Sequence, residues 1–145
     1  MIRFKYCLLI CIYMKKVMVF GTFDVLHEGH LNLFEQARKY GDYLIAVVAR
    51  DKSVKKMKSF LPHQNELERL ENVKKHVDKA IIGYEDDFYK VIEEQKPDVI
   101  CFGYDQNKMN AEFELEKRGI KAEMHILKAF QEHKHKSSIV RKQLR

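Results

Sequence analysis

Five short apolar runs alternate with segments of helical period along this chain, and no other feature of the sequence restricts its fold as much. The runs are Lys16–Gly21, Tyr43–Ala49, Val77–Gly83, Asp98–Gly103 and Ala122–Leu127, each bounded by turn residues. They are nearly all apolar rather than alternating, the pattern of strands buried on both faces of a parallel sheet. Over Leu31–Tyr40 the residues Leu33, Phe34 and Ala37 share one helical face, and Gly41 is read as the stop. Further helices are expected over Glu66–Lys75, Phe88–Gln95 (ahead of Pro97), Glu112–Arg118 (ahead of Gly119) and Ser138–Leu144. A chain of 145 residues is long enough for one domain with a real core. The expected fold is α/β, a doubly wound, five-stranded parallel sheet of the Rossmann-like kind.

Ligands of such sheets bind beyond the carboxyl ends of the strands, and the polar residues of this chain collect there. Thr22–His30 follows the first run, ARDKSVKKMK follows the second and is read as a loop, and YDQN follows the fourth. HKHKSSIVRK lies near the end of the chain. His27 falls at the entrance of the first helix and His30 in its first turn, where unpaired N–H groups and a partial positive charge suit phosphate. Gly29 would let a phosphate come close to the backbone. Two imidazoles at that point can donate hydrogen bonds to oxygens that gain charge during phosphoryl transfer. Zinc ligation and helix capping are the alternatives, and zinc lacks a third ligand at helical spacing.

Elsewhere the polar residues have two readings each. Lys52, Lys55, Lys56 and Lys58 form a solvated face or supply a point charge to a triphosphate. Asp105 either accepts from a ribose or amino group or simply makes a turn. Ser137 or Ser138 can cap the last helix, an anion site in itself, with Arg141 one turn along. His133 and His135 are assigned no role.

The composition, 46% hydrophobic and 33% charged with a formal charge of +6, is that of a folded rather than a disordered chain. The positive charge fits a basic surface, a nucleic-acid binder, or a pocket for a small polyanion such as a nucleoside triphosphate. Cys7, Cys11 and Cys101 give neither a disulfide framework nor metal-ligand spacing, so a reducing cytoplasm is the simplest home. Residues 1–13 are basic and then apolar, but the apolar part is too short to span a bilayer and no small-residue cleavage site follows. They are read as an extension, with 14–145 as the working domain. A weak membrane anchor is the other reading.

GTFDVLHEGH resembles the GTFDxxHxGH signature of the cytidylyltransferase-like nucleotidyltransferase superfamily, and the likeness runs from Met14 to the tail. The resemblance implies transfer of a nucleoside monophosphate from a triphosphate to a phosphorylated acceptor, with Mg²⁺ carried on the triphosphate and pyrophosphate released. It implies that His27 and His30 stabilise the transition state at the α-phosphate. Gly21, Thr22, Phe23, Asp24 and Gly29 would then shape the nucleotide pocket. One lysine of the second loop would join the phosphates, Lys55 first and Lys56 next. Arg69 resembles the family arginine that precedes the third strand, its alternative being an exposed i,i+3 partner of Glu66. A G-x-D-x element implies a nucleotide contact for Asp105 and then Gln106, and the tail segment implies phosphate contacts for Ser137, Ser138 and Arg141.

Two groups of the superfamily compete. ARDKSVKKMK and GYDQ look more like the small FAD synthases, which move AMP from ATP to FMN. Glycerol-3-phosphate cytidylyltransferases share the signature and make CDP-glycerol from CTP. A flavin acceptor would need an aromatic face, for which Phe23, Tyr104 and Phe130 are the candidates. A nucleotide- or nucleic-acid-binding module that has lost catalysis is the reading from another class, and the intact histidine pair argues against it. The resemblance implies small-molecule partners, neither nucleic acid nor membrane, and a homodimer, since relatives are often dimers.

Overall fold

The computed structural model of the chain describes residues 14–130. The tail residues Ser137, Ser138 and Arg141, the helix expected over 138–144 and the extension 1–13 all lie outside the described residues. The order is β1 (Lys16–Gly21), α1 (Glu28–Arg38), β2 (Tyr43–Val48), α2 (Asp51–Lys58), α3 (Glu66–Lys74), β3 (Lys79–Ile82), α4 (Lys90–Gln95), β4 (Val99–Phe102), α5 (Lys108–Lys117) and β5 (Glu123–Ile126). Every strand pair is parallel, in the order β3-β2-β1-β4-β5. The chain therefore winds outward to β3, returns past β1 to β4, and leaves a crevice between β1 and β4 at the carboxyl edge. Ligands of open α/β sheets bind at such a reversal.

Strand periodicity divides the core into two layers. Val17 and Val19 turn to one face, where Phe34, Ala37 and Val73 of α1 and α3 cover them. Met18 and Phe20 turn to the other, under Val91, Ile92, Ala111 and Leu115 of α4 and α5. With both faces covered, the inner strands have no polar positions, which is why their sequence does not alternate. Cys101 is part of the first layer, 1% exposed, and burial above all, with Glu123 second, pushes its thiol up to about 12. No helix among the described residues is long and apolar enough to cross a membrane.

Aspartates stitch the amino edge of the sheet. Lys15 N donates to Asp42 (3.1 Å), Lys16 N to Asp98 (2.8 Å) and Leu44 N to Asp78 (2.8 Å). Each satisfies a leading N–H group that would otherwise lack a partner.

Three readings of the sequence need correction here. ARDKSVKKMK is not a loop, because Asp51–Lys58 is helical, with Val54 buried against the core. Lysines have good helix propensity, and the short apolar spacing hid the period. Gly41 does not end α1 by a left-handed turn. Lys39 is the helical C-cap, and glycine is needed at 41 because a Cβ would stand 2.6 Å from the Lys15 carbonyl oxygen. Helix α5 begins at Lys108 rather than Glu112, since the Asn107 side chain caps it by accepting from Asn110 N.

Candidate active site

The residues at the carboxyl edge of β1 are held in a strained turn. Phe23 and Val25 have φ of 55° and 49°, a left-handed conformation that costs a side-chain-bearing residue about 1–3 kcal/mol unless its surroundings enforce it. Enforcement comes chiefly from Arg69, whose side chain is fully buried. Its Nη1 donates to the carbonyls of Thr22 (2.7 Å) and Ala49 (2.8 Å), its Nε to that of Gln64 (3.0 Å), and its Nη2 to Asp51 Oδ1 (2.7 Å). One guanidinium thus fastens the turn after β1, the end of β2 and the start of α3. The exposed pairing of Arg69 with Glu66 does not form. Glu66 lies instead beside Arg50 (3.5 Å) and exchanges hydrogen bonds with the backbone and carboxylate of Asp51.

At the entrance of α1 the two histidines cap the helix reciprocally. His27 Nδ1 accepts from Gly29 N (3.0 Å), and His30 Nδ1 accepts from His27 N (3.3 Å). An imidazole that accepts at Nδ1 carries its proton on Nε2. The rings stack with centroids 3.9 Å apart. Burial first, and the charge of His27 second, push His30 down to about 4; Asp24 works the other way and Lys58 adds to the depression. His30 is therefore neutral at physiological pH, an Nε2–H donor with no net charge. Capping and donation are compatible, because they use different nitrogens.

Gly29 permits the close approach of the His27 imidazole: a Cβ there would lie 2.8 Å from His27 Cε1. Gly21 is needed for a similar reason, since a Cβ would strike the Phe23 ring at 2.8 Å. Phe23 itself offers no stacking face. It is 3% exposed, packs on Phe34 (5.2 Å) and meets His30 edge-on (5.7 Å), so it supports the His30 ring. Asp24 turns its carboxylate to the segment before α3, accepting from the backbone of His63 (2.9 Å) and Gln64 (3.0 Å). Burial alone would raise its pKa, but these bonds together with the His63 ring hold it below the usual carboxylate range.

The lysine whose charge reaches His30 is Lys58, at the end of α2. Lys55 and Lys56 are exposed on the same helix. A helical reading of the segment would have set Lys58 on the face of Lys55, one turn nearer the site. Across the crevice, Asp105 is exposed after β4. Gln106 is committed to the fold, its Oε1 accepting from Gly103 N (2.8 Å) and its Nε2 donating to the Phe20 carbonyl (3.1 Å). It joins β4 to β1. Tyr104 is exposed at that edge, and Phe130 is half-buried with its Cβ about as far as van der Waals contact from the Cα substituent position of Gly29. The bonds of Asp51 to Arg69 and of His63 to Asp24 escape the sequence, because Asp51 lies in a segment read as a loop and both partners are distant in the chain.

The cytidylyltransferase-like family model matches residues 18–143. A protein of Ferroglobus placidus named FAD synthase is 49% identical over 120 residues, 80% of this chain and 78% of that one. A second, of Archaeoglobus profundus and with the same name, is 44% identical over 86% of this chain and 82% of its own. Among solved structures, the lipopolysaccharide core biosynthesis protein of Thermoplasma volcanium is 38% identical, with a TM-score of 0.75 over 81% of this chain and 99% of that one. The stretch matched by the family model takes in the strained turn, the capping histidines and Arg69. The chain belongs to the cytidylyltransferase-like family of nucleotidyltransferases, alongside the archaeal FAD synthases that share most of its length.

Proposed function

We propose that the chain is an FAD synthase, joining AMP from ATP to FMN with release of pyrophosphate. The observation that carries the chemistry is the histidine pair, two Nε2–H donors fixed by backbone acceptance at Nδ1 and set at a helix N-terminus. A phosphate oxygen of FMN attacks the α-phosphorus of ATP in line, and the bond to the bridging oxygen of the β-phosphate breaks. The nucleophile is already an anion, so no general base is needed. Catalysis rests on alignment and on donors that meet the charge growing on the α-phosphate oxygens.

Mg²⁺ bound to the triphosphate would neutralise part of its charge. The two imidazoles would then donate from Nε2 to phosphate oxygens rather than ligate the ion, since each Nδ1 already accepts from the backbone. Lys58 and Asp105 would stand on opposite sides of the bound nucleotide.

The choice of FMN as acceptor is supported by the relatives named FAD synthase. Purified protein supplied with ATP, Mg²⁺ and FMN should form FAD and pyrophosphate, separable by chromatography. CTP with glycerol 3-phosphate should react far more slowly. CDP-glycerol as the faster product would assign the chain to the other group.

A further inference from the structure

Of the two left-handed residues in the turn after β1, one is compensated by packing and the other is not. Phe23 is buried against Phe34 and His30, so leaving its conformation would uncover a ring. Val25, at φ 49°, is 52% exposed. A β-branched residue is among the least suited to that region, and little burial is gained in return. Its backbone is held instead from another part of the chain: Gln64 Oε1 accepts from Val25 N (3.2 Å).

Gln64 is itself fixed at both ends. Its N–H donates to Asp24 Oδ1 (3.0 Å), its carbonyl accepts from Arg69 Nε (3.0 Å), and its Oε1 also accepts from Asn72 Nδ2 (3.4 Å). The buried Arg69 is thereby linked through one glutamine to the residue two positions ahead of His27. His27 is the N-cap of α1, and its N–H donates to His30 Nδ1 at 3.3 Å, the long end of the range for such bonds. A return of Val25 to negative φ would swing the stretch that carries His27, and a bond this long has little slack to follow it. We propose that Gln64 is a positioning residue of the α1 entrance, holding Val25 in its left-handed conformation so that the His27 N–H stays on His30 Nδ1 and His30 keeps its proton on Nε2.

The proposal rests on the reading of the two imidazoles as donors to the α-phosphate. Gln64→Met keeps the length of the side chain and loses the acceptor, whereas Gln64→Glu keeps the acceptor. In Gln64→Met the rate of FAD formation at saturating substrates should fall about 10–100-fold, the scale of a misplacement of about 1 Å. Calorimetric Kd values for Mg–ATP and for FMN should stay within about threefold, and Gln64→Glu should keep turnover within about threefold of the parent. In a Val25→Gly background the same Gln64→Met change should cost less than about threefold, because glycine takes positive φ without steric penalty. Apart from turnover, the ¹⁵N resonances of the His30 ring should show the Nε2–H tautomer in the parent and a mixture with Nδ1–H in Gln64→Met.

Parental turnover in Gln64→Met would overturn the proposal, as would equal costs with valine or glycine at position 25. Affinities that fall in step with turnover would mark a substrate contact, and a thermal midpoint that collapses in both Gln64 variants would mark a purely structural residue; either outcome overturns it. So would a His30 tautomer unchanged in Gln64→Met. If the parent forms no FAD, the acceptor assignment fails and the tautomer measurement alone decides the role of Gln64.

Discussion

A histidine at the start of a helix can donate or accept at Nδ1, and at His27 and His30 the backbone makes the choice. Both rings accept, so both keep a proton on Nε2, and burial keeps His30 from gaining a second. Replacing His30 by alanine removes one of the two donors and should lower turnover about 10²–10³-fold while altering ATP affinity much less. The same variant has an equilibrium signature. His30 is pushed down to about 4 in the folded state from 6.5. Between those values the unfolded chain therefore binds more protons, and stability falls as the pH drops from about 6.5 towards 4. The loss is at most about 3 kcal/mol. Denaturant titrations at several pH values should show this component in the parent and not in His30→Ala.

At the scale of elements, the turn after β1 is held by a fully buried residue, Arg69. Arg69 gathers three segments that have no hydrogen-bonded ladder between them beyond the carboxyl edge. Replacing it with methionine would keep much of the volume but leave the carbonyls of Thr22, Ala49 and Gln64 and the Asp51 carboxylate without their donor. Urea unfolding should show a loss of about 3–5 kcal/mol, the usual cost of removing one partner of a buried ionic cluster. Arg69→Lys should recover only part of it, because one ammonium cannot span that fork.

The strand–helix order and the histidine pair were legible in the sequence because hydrophobic period and a dense motif are local signals. The partners of Arg69 were not: the sequence left open a family arginine before the third strand or an exposed i,i+3 pair with Glu66, and only the folded chain brings residues 22, 49, 51 and 64 around it. Nor did the sequence show that Gln106 joins β4 to β1 and that Asp24 accepts from the backbone of His63 and Gln64. Lys58 escaped because α2 was read as a loop, in which spacing carries no direction.

For the molecule as a whole, the first described element is β1, whose leading residue Lys16 is fixed to Asp98 and the residue before it, Lys15, to Asp42. A chain starting at Met14 should therefore fold with the cooperativity of the full chain and retain its activity, as read by thermal unfolding and FAD formation. Loss of folding on that truncation would make residues 1–13 part of the domain.

The strand order also sets a timetable for biosynthesis. β1, β2 and β3 are consecutive in the chain and adjacent in the sheet, and the histidine pair and every group Arg69 joins lie between Lys16 and Ile82. This half can assemble on the ribosome before the rest has been made, as N-terminal units generally do. The partner on the other side of β1 arrives much later, the bond from Lys16 to Asp98 spanning 82 positions. Until then β1, an apolar strand meant for the middle of a sheet, is an open edge able to pair with any other nascent chain. The crevice between β1 and β4 is thus, during synthesis, flanked by the strand edge most open to misassembly.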